Sequence, residues 1–273
     1  MKSGPIGVFD SGYGGLTILK EIVATMPGYD YVYLGDNARA PYGTKSYDTV
    51  YEYTLEAVKW FLNQGCSLVI LACNTASAKA LRTIQQKDLP IIDNSKRVLG
   101  VIRPTSEVIG HYSNTGHVGI LGTTGTVHSD SYLIEIAKFF PQIKVTQEAC
   151  PEWVSLVEEN KHQTSEADFF VKKHIDHILT KDESIDTLLL ACTHYPLLLE
   201  KIKKYTPGST RIISQGKIIA DSLMNYLKRH PEIEIACSKN AEKKFYTTGK
   251  TEEFNSRATT FFGAEVRSEK LVL

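Results

Sequence analysis

Two similar segments constrain this chain more than any other feature of its sequence. Residues 67–77 read Ser-Leu-Val-Ile-Leu-Ala-Cys-Asn-Thr-Ala-Ser, and residues 187–196 read Thr-Leu-Leu-Leu-Ala-Cys-Thr-His-Tyr-Pro. A short apolar run of this kind is typical of a buried parallel strand. The turn after it lies at the carboxyl end of the strand, where open α/β sheets bind ligands. The sequence therefore predicts two thiols, Cys73 and Cys192, at equivalent places in two similar α/β units.

Burial alone would account for either cysteine, since free cysteine is among the most buried residue types and most such thiols are inert. Packing gives no reason, however, for polar pairs to follow both thiols, as Asn74-Thr75 and Thr193-His194 do. Buried polar groups cost free energy unless they are partnered, and a polar ligand is one source of partners. Two matched thiols facing one ligand indicate one chemistry, the transfer of a proton to or from carbon on either side.

Composition excludes several classes of function. The 31 Lys and Arg residues balance the 31 Asp and Glu residues, so no net field favours nucleic acid or an anionic membrane. No apolar run approaches the roughly 18 residues of a membrane span. Five cysteines without close pairs fit a reducing cytoplasm, and no signal peptide is visible before the first strand. We expect a cytoplasmic protein with no metal, because Cys192 and His194 lack further ligands nearby.

The chain alternates strand and helix patterns, which predicts α/β domains with mostly parallel sheets and helices on both faces. In the first half, strands are predicted at 6–9, 31–34, 68–72 and 89–93, and helices at 16–24, 46–64 and 75–86. In the second half, strands are predicted at 117–122, 144–149, 187–191 and 211–214, and helices at 104–112, 129–140, 153–160, 165–181, 197–205 and 217–229. The tail has predicted strands at 243–248 and 266–273 around a helix at 252–262, and we expect it to complete the first sheet.

The two halves repeat each other at a nearly constant offset. Matching Gly119 to Gly7 gives an offset of 112 positions, and matching Cys192 to Cys73 gives 119. Length is sufficient for two modest domains with real cores. We therefore predict a first domain formed by residues 1–97 and 211–273 and a second formed by residues 98–210.

A glycine-rich turn, Asp10-Ser-Gly-Tyr-Gly-Gly15, follows the first predicted strand. It lacks the G-x-G-x-x-G spacing of dinucleotide sites. Its glycines let the backbone approach a ligand closely, and the helix that follows presents N–H groups suited to an anion. A plain tight turn would explain the glycines but not the carboxylate of Asp10 at the strand end.

Polar and glycine residues collect at the predicted carboxyl ends of the strands. They are Asp10, Ser11, Asp36, Tyr42, Gly43, Cys73, Asn74, Thr75, Thr123, Thr124, Cys192, Thr193 and His194. With them come the motifs Gly7-Val-Phe-Asp-Ser-Gly12, Pro41-Tyr-Gly43, Ala72-Cys-Asn-Thr75, Gly122-Thr123 and Leu189-Leu-Ala-Cys-Thr-His-Tyr-Pro196. In these motifs, which span nearly the whole chain in order, the sequence resembles the cofactor-independent glutamate racemases.

That resemblance implies two similar α/β domains with the active site in the cleft between them. It implies interconversion of L- and D-glutamate, a small-molecule substrate, for bacterial peptidoglycan, with neither pyridoxal phosphate nor metal as cofactor. We also expect a homodimer.

The resemblance also implies roles for individual residues. Cys73 would deprotonate D-glutamate and Cys192 would deprotonate L-glutamate. Asp10, His194, Glu158 and Asp36 would be the further catalytic residues. The substrate-binding residues would be Asp10, Ser11, Pro41, Tyr42, Gly43, Asn74, Thr75, Thr123, Thr124, Thr193 and His194. The chain departs from the family pattern at two places: Ser155 replaces a usual proline, and Ser214-Gln215 replaces a usual Asp-Ser.

The chemistry agrees with the residue types. The α-proton of an amino acid is a very weak acid, and no pyridoxal-type electron sink is evident. Oriented donors around the carboxylate must then stabilise the charge that builds on it. An ordinary thiol has a pKa of about 8.5, so one cysteine must be tuned to be a thiolate and the other a thiol.

Three alternatives stay open from sequence. The first is an aspartate or other amino-acid racemase of the same superfamily, with the same two thiols. The second is a nucleotide- or phosphate-binding module on the glycine turns, although the Walker lysine is missing. The third is a ligand-binding sensor with inert thiols.

Overall fold

The computed structural model describes residues 3–273, and in them two parallel β-sheets are flanked by helices. The strands are β1 (Ile6–Asp10), β2 (Tyr31–Gly35), β3 (Leu68–Leu71), β4 (Arg97–Gly100), β5 (His117–Gly122), β6 (Lys144–Ala149), β7 (Thr187–Ala191), β8 (Arg211–Ser214), β9 (Lys243–Thr247) and β10 (Ser268–Lys270). The α-helices are α1 (Leu16–Thr25), α2 (Tyr47–Asn63), α3 (Asn74–Lys79), α4 (Leu81–Thr83), α5 (Leu89–Ile92), α6 (Ile102–Ser106), α7 (Thr124–Val127), α8 (Ser131–Phe139), α9 (Glu152–Glu158), α10 (Ser165–Lys181), α11 (Leu199–Tyr205), α12 (Gly216–Arg229), α13 (Pro231–Ile235) and α14 (Thr251–Phe262). Short 3₁₀ segments occur at Asn37–Arg39, Ile109–Tyr112 and Tyr195–Leu198, and a π-helical segment at Ile84–Asp88.

Four strands of the first sheet have the same order as the four strands of the second, which confirms the predicted repeat. The first sheet runs β10-β9-β2-β1-β3-β4 and the second runs β6-β5-β7-β8, with all neighbours parallel. In each sheet, the second strand in chain order lies on one side of the first strand, and the third and fourth lie on its other side. The direction in which strands are added therefore reverses between β1 and β3 in the first sheet and between β5 and β7 in the second. Such reversal points, at the carboxyl ends of the strands, are where doubly wound sheets bind ligands.

Both faces of the first sheet are buried, as the continuous apolar runs predict. Leu68 and Ile70 of β3 pack in one apolar cluster, and Val69 and Leu71 pack in another on the opposite face. The first of these clusters continues into the second sheet, where it includes Leu188 of β7. The two sheets therefore share a core, which holds their carboxyl ends in a fixed relation.

The predicted strand at 89–93 is wrong. Residues Leu89–Ile92 form helix α5, continuous with the π-helical segment before it, and Ile91 is 86% exposed. Pro90 is compatible with this helix because a proline in the first turn removes an N–H that has no intrahelical partner. The fourth strand is Arg97–Gly100, whose Val98 is buried and pairs with Val69 of β3.

The strands divide between the sheets at points that differ from the predicted domain boundaries. Strand β4, at residues 97–100, pairs with β3 in the first sheet, and strand β8, at residues 211–214, pairs with β7 in the second. The boundary predicted between residues 97 and 98 cuts through β4. The boundary predicted before residue 211 assigns β8 to the first domain, although it belongs to the second sheet. We propose that the division falls after Gly100 and after Ser214, so that each unit keeps its fourth strand.

Other elements agree closely with the prediction. Ser46 caps α2 by accepting a hydrogen bond from the Thr49 amide at 3.1 Å, and Gly65 follows the helix with φ of +87°. The tail completes the first sheet through β9 and β10. The helix predicted at 104–112 is instead split into α6 and a 3₁₀ turn, and the strand predicted at 266–273 is limited to β10. Helices α7 and α13 were not predicted. Within residues 3–273, no helix combines the length and apolarity that crossing a bilayer requires.

Candidate active site

A cleft of about 320 Å³ lies where the carboxyl ends of the two sheets face each other. Its wall is formed by residues that follow strands of both sheets: Ser11, Pro41, Tyr42, Gly43, Thr44, Cys73, Asn74 and Thr75 from the first, and Thr123, Thr124, Pro151, Val154, Ser155, Glu158, Glu159, Cys192, Thr193 and His194 from the second. Ser11 and Cys73 follow β1 and β3, and Thr123 and Cys192 follow β5 and β7. The cleft is therefore built on the reversal point of each sheet.

The surroundings of Cys73 favour the protonated thiol over the thiolate. The side chain is the N-cap of α3, and its Sγ accepts a hydrogen bond from the Ala76 amide at 3.5 Å, with Ser11 Oγ at 3.6 Å. These contacts favour a thiolate. Burial and the nearby carboxylate of Asp10 outweigh them and raise the pKa of Cys73 to about 12. Cys73 is therefore a thiol at neutral pH.

Cys192 lies beside a cation. Its Sγ is 4.0 Å from His194 Nδ1, and His194 Nε2 is 3.0 Å from Glu158 Oε1. Burial by itself would lower the pKa of His194, but the hydrogen bonds to Cys192 and Glu158 outweigh it and raise that pKa to about 10. The imidazole therefore carries both protons at neutral pH, donates to Glu158, and places a cation 4.0 Å from the sulfur of Cys192.

Asp10 is fully buried behind the cleft wall and contacts the segment that follows Cys192. Its Oδ2 accepts from the Gly12 amide at 2.9 Å, and its Oδ1 accepts from the Thr193 hydroxyl at 3.3 Å. Burial raises the pKa of this carboxyl, and the cation of His194 opposes that rise. Asp10 thus connects the residue that follows Cys192 to the strand end beside Cys73.

Asp36 does not line the cleft. Its Oδ2 accepts from Arg39 Nε at 2.7 Å and from the Tyr42 hydroxyl, and its Oδ1 accepts from the Thr248 hydroxyl at 2.7 Å. Tyr42 does line the cleft, and burial raises its pKa well above its ordinary value. Asp36 therefore acts on the site by holding the loop that carries Tyr42.

Hydrogen bonds join the two sheets on one side of the cleft. Thr75 Oγ1 lies 2.9 Å from Thr123 Oγ1, and the Gly125 amide donates to the carbonyl of Gly43 at 2.8 Å. Thr123 also caps α7 by accepting from the Thr126 amide at 3.2 Å. These contacts set hydroxyl groups from both sheets beside Asn74, where they form a polar end of the cleft.

A glycine makes the close approach possible on the other side. A Cβ atom at Gly14 would lie 2.2 Å from Thr193 Oγ1 and 2.5 Å from His194 Nδ1. Only glycine at this position lets the turn after β1 contact the segment that carries Cys192.

The structure brings most of the predicted site residues to one cleft. Asp10 and Asp36 are the two that lie behind its wall. Glu158, from α9, contacts His194 although Ser155 departs from the family pattern. Sequence reasoning missed Thr44, Pro151, Val154, Ser155 and Glu159 as wall residues. Four of these five residues follow β6, as Glu158 does. Their position after a strand could therefore have identified them as wall residues.

Within residues 3–273, no three His, Cys, Asp or Glu side chains are grouped as a metal site would need.

The sequence of the chain matches the model of one protein family, described as Asp/Glu/Hydantoin racemase, over residues 6–223. The chain belongs to this racemase family. A glutamate racemase from Ruegeria sp. is 38% identical over 97% of this chain and 98% of its own length.

Solved structures agree with this assignment. Glutamate racemase isoform RacE1 from Bacillus anthracis superimposes with a TM-score of 0.90 at 33% identity, over 100% of this chain and 99% of its own. A glutamate racemase from Francisella tularensis, solved with D-glutamate, gives 0.87 at 31% identity over 100% and 98%. The fold of this racemase-family chain is therefore that of glutamate racemases over its full length.

Proposed function

We propose that this protein interconverts L- and D-glutamate by moving the α-proton between the substrate carbon and two cysteines, without a cofactor. One observation carries the proposal: Cys73 and Cys192 follow equivalent strands of two matching sheets and line the same cleft. Relatives of similar length are named glutamate racemases, and one was solved with D-glutamate.

The charges beside the two thiols suggest how the L-to-D direction begins. Cys192, which lies 4.0 Å from the imidazole of His194, acts as the base and removes the α-proton of L-glutamate. The electron pair of the broken C–H bond moves into the substrate carboxylate. Cys73, which is a thiol at neutral pH, then donates its proton to the opposite face of the carbon and yields D-glutamate. The reverse reaction begins from the protonation state that this turnover leaves behind, with Cys73 as the base.

The barrier is lowered by donors around the substrate carboxylate, where negative charge builds. Asn74, Thr75 and Thr123 supply amide and hydroxyl groups at the polar end of the cleft. Because Asn74, Thr75 and Thr123 are themselves buried, these donors act in a low dielectric and are already oriented before the reaction.

The biological role follows from the product. D-glutamate is made for peptidoglycan, and we propose that this protein supplies it in the cytoplasm. A homodimer also stays a prediction, which sedimentation of the purified protein will decide.

The direct test is to incubate the purified protein with D-glutamate or L-glutamate and follow optical rotation or circular dichroism. We expect racemisation of both enantiomers after extensive dialysis against chelator and without added pyridoxal phosphate. The value of kcat/KM for glutamate should exceed that for aspartate. A preference for aspartate would assign the protein to the alternative amino-acid substrate, and activity that depends on added metal or pyridoxal phosphate would exclude the two-thiol mechanism.

A further inference from the structure

Gln215 is a buried polar residue that the mechanism above does not use. It follows β8 at the carboxyl end of the second sheet and is 3% exposed. It does not line the cleft, and it stands where the family pattern has a serine. A buried amide costs free energy unless its hydrogen-bonding groups are partnered, so the partners of this side chain indicate what it does.

The Gln215 amide connects elements of both units. Its Oε1 accepts from Asn74 Nδ2 at 2.8 Å. The two N–H groups of its Nε2 donate to the Thr105 hydroxyl at 2.9 Å and to the Tyr132 hydroxyl at 2.7 Å, and the nitrogen lies 3.3 Å from the carbonyl of Val101. The Tyr132 hydroxyl in turn donates to Asn74 Oδ1 at 2.7 Å. Both polar atoms of the Asn74 side chain are therefore held by this network.

The donor and the acceptor of each hydrogen bond in the network follow from the carbonyl of Val101. The Val101 carbonyl can only accept, and it also takes the proton of the Thr105 hydroxyl at 2.8 Å. Thr105 must then accept from Gln215, so the Gln215 atom that faces Thr105 and Val101 is the nitrogen. The oxygen of Gln215 therefore faces Asn74, and the atom that Asn74 turns to it must be a donor.

This direction fixes which group Asn74 offers to the cleft. Oδ1 of Asn74 receives the Tyr132 proton, and one N–H of Nδ2 is donated to Gln215. Within residues 3–273, the structure shows no acceptor for the second N–H of Nδ2. Asn74 lines the cleft next to Cys73, so that N–H is the group available to a substrate carboxylate. In the flipped orientation Asn74 would present its oxygen, which repels a carboxylate.

We propose that Gln215 is a positioning residue that locks the amide of Asn74 in the orientation that donates an N–H to the carboxylate of the bound substrate. This inference rests on the proposed function, because it takes the substrate to be an amino acid. A serine at position 215 would be too short to bridge Asn74, Thr105 and Tyr132, so the lock depends on the length of the glutamine side chain.

The first test is the variant Gln215→Met, which keeps the shape of the side chain and removes its hydrogen bonds. We expect kcat/KM for glutamate to fall by about 10-fold or more, mainly through a higher KM, because the carboxylate contact is already made in the bound substrate. The matched control is Gln85→Met, which removes a glutamine bond to the Val98 carbonyl outside the cleft and should leave both constants unchanged. Equal kinetics in Gln215→Met and wild type would overturn the proposal.

A double-mutant cycle separates positioning from general stability. If Gln215 acts through Asn74, adding Gln215→Met to Asn74→Ala should cause no further loss of kcat/KM. Losses that add would mean that Gln215 acts elsewhere. Tyr132→Phe removes the other bond to Asn74 and should also raise KM, which keeps the proposal testable should Gln215→Met fold poorly.

A substrate-free measurement distinguishes this proposal from the proposed function. In protein labelled with ¹⁵N-asparagine, the side-chain NH₂ signal of Asn74 is identified by its loss in Asn74→Ala. We expect Gln215→Met and Tyr132→Phe each to shift that signal, and Gln85→Met to leave it in place. An unchanged signal in both network variants would reject the lock. Absence of glutamate racemisation in the wild-type protein would instead reject the proposed function, whatever the NMR result.

Discussion

The two thiols differ in the charge of the groups beside them. Cys73 has the carboxylate of Asp10 near it, which with burial raises its pKa to about 12, whereas Cys192 has the cation of His194. The proposed turnover requires one base and one acid on opposite faces of the carbon, and the cation beside Cys192 favours that thiol as the base for L-glutamate. The sequence predicted matched thiols, but not which one holds the proton, because that depends on burial and on charges brought from other strands.

Exchanging one thiol for a hydroxyl tests the division of labour. Serine is similar in size to cysteine but has a far higher pKa, so Cys73→Ser or Cys192→Ser should lower racemisation by about 10³-fold or more. Elimination from a glutamate analogue with a leaving group at the β-carbon needs only the first base. We therefore expect Cys73→Ser to retain elimination from the L form and Cys192→Ser from the D form, measured as release of the leaving group. Equal loss of both eliminations in both variants would show that the thiols do not serve separate faces.

The raised pKa of His194 predicts how stability depends on pH. The pKa rises from 6.5 in the unfolded chain to about 10 in the folded protein, so the contribution of the imidazolium is complete below pH 6.5 and disappears as pH passes through about 10. His194→Asn should therefore lower the free energy of unfolding by about 1.5–3 kcal/mol near pH 6.5, the range for a hydrogen bond to a charged group. Urea unfolding of both proteins across this range should show the difference shrinking toward pH 10. A difference that grows with pH would mean that the imidazole is neutral in the folded protein.

At the scale of elements, the ends of the strands were predictable because an apolar run and the small or polar residues that end it are local features of the sequence. The apolar run that precedes Cys73 and the repeat that precedes Cys192 were sufficient to place both thiols at the carboxyl ends of parallel strands. The error at residues 89–93 has the opposite cause. Leu89-Pro-Ile-Ile is apolar, but only Leu89 reaches the core, and a short apolar run does not reveal whether its side chains are covered. Gln215 was noticed as a departure but not as a site residue, since its partners lie 83 to 141 positions away in sequence.

The turn between β1 and α1 gives a prediction for an element. Gly14 lies against Thr193 and His194, and a methyl group there would push the segment that carries Cys192 away from Asp10. Displacement of a catalytic group by about 1 Å can cost 10²-fold in rate, so Gly14→Ala should lower kcat by about that factor. The control Gly208→Ala adds the same methyl group where no atom lies within 4 Å and should leave kcat unchanged. Normal kcat in Gly14→Ala would show that this contact does not place the site.

For the whole molecule, the cleft is bounded by contacts between the two units at both sides. On one side, the Thr17 hydroxyl donates to the Thr193 carbonyl at 3.1 Å and Gly14 packs against the same segment. On the other, the Gly43 carbonyl accepts from the Gly125 amide at 2.8 Å. The shared apolar core lies behind the first side. The second side consists of the loop that carries Gly43 and the short helices α3 and α7, which meet through hydroxyl and backbone hydrogen bonds. It is therefore the side that substrate entry would open with the least loss of buried apolar surface.

Gly125→Ala tests that second side. A Cβ atom at Gly125 would lie 2.9 Å from the Gly43 carbonyl and 3.0 Å from Lys79 Nζ, so the loops could not close to their present distance. We expect KM for glutamate to rise by about 10-fold, because the loops carrying Tyr42 and Thr123 would be held apart and the substrate carboxylate would lose donors from one of them. Thermal unfolding should change less than KM, since the atoms nearest to the added Cβ belong to Gly43 and Lys79 and not to an apolar side chain of the core. Gly28→Ala, which has no atom within 4 Å of its Cβ, is the control for the added methyl group. An unchanged KM in Gly125→Ala would mean that the loops need not meet for glutamate to bind, and entry would then have to be sought on the side of Gly14.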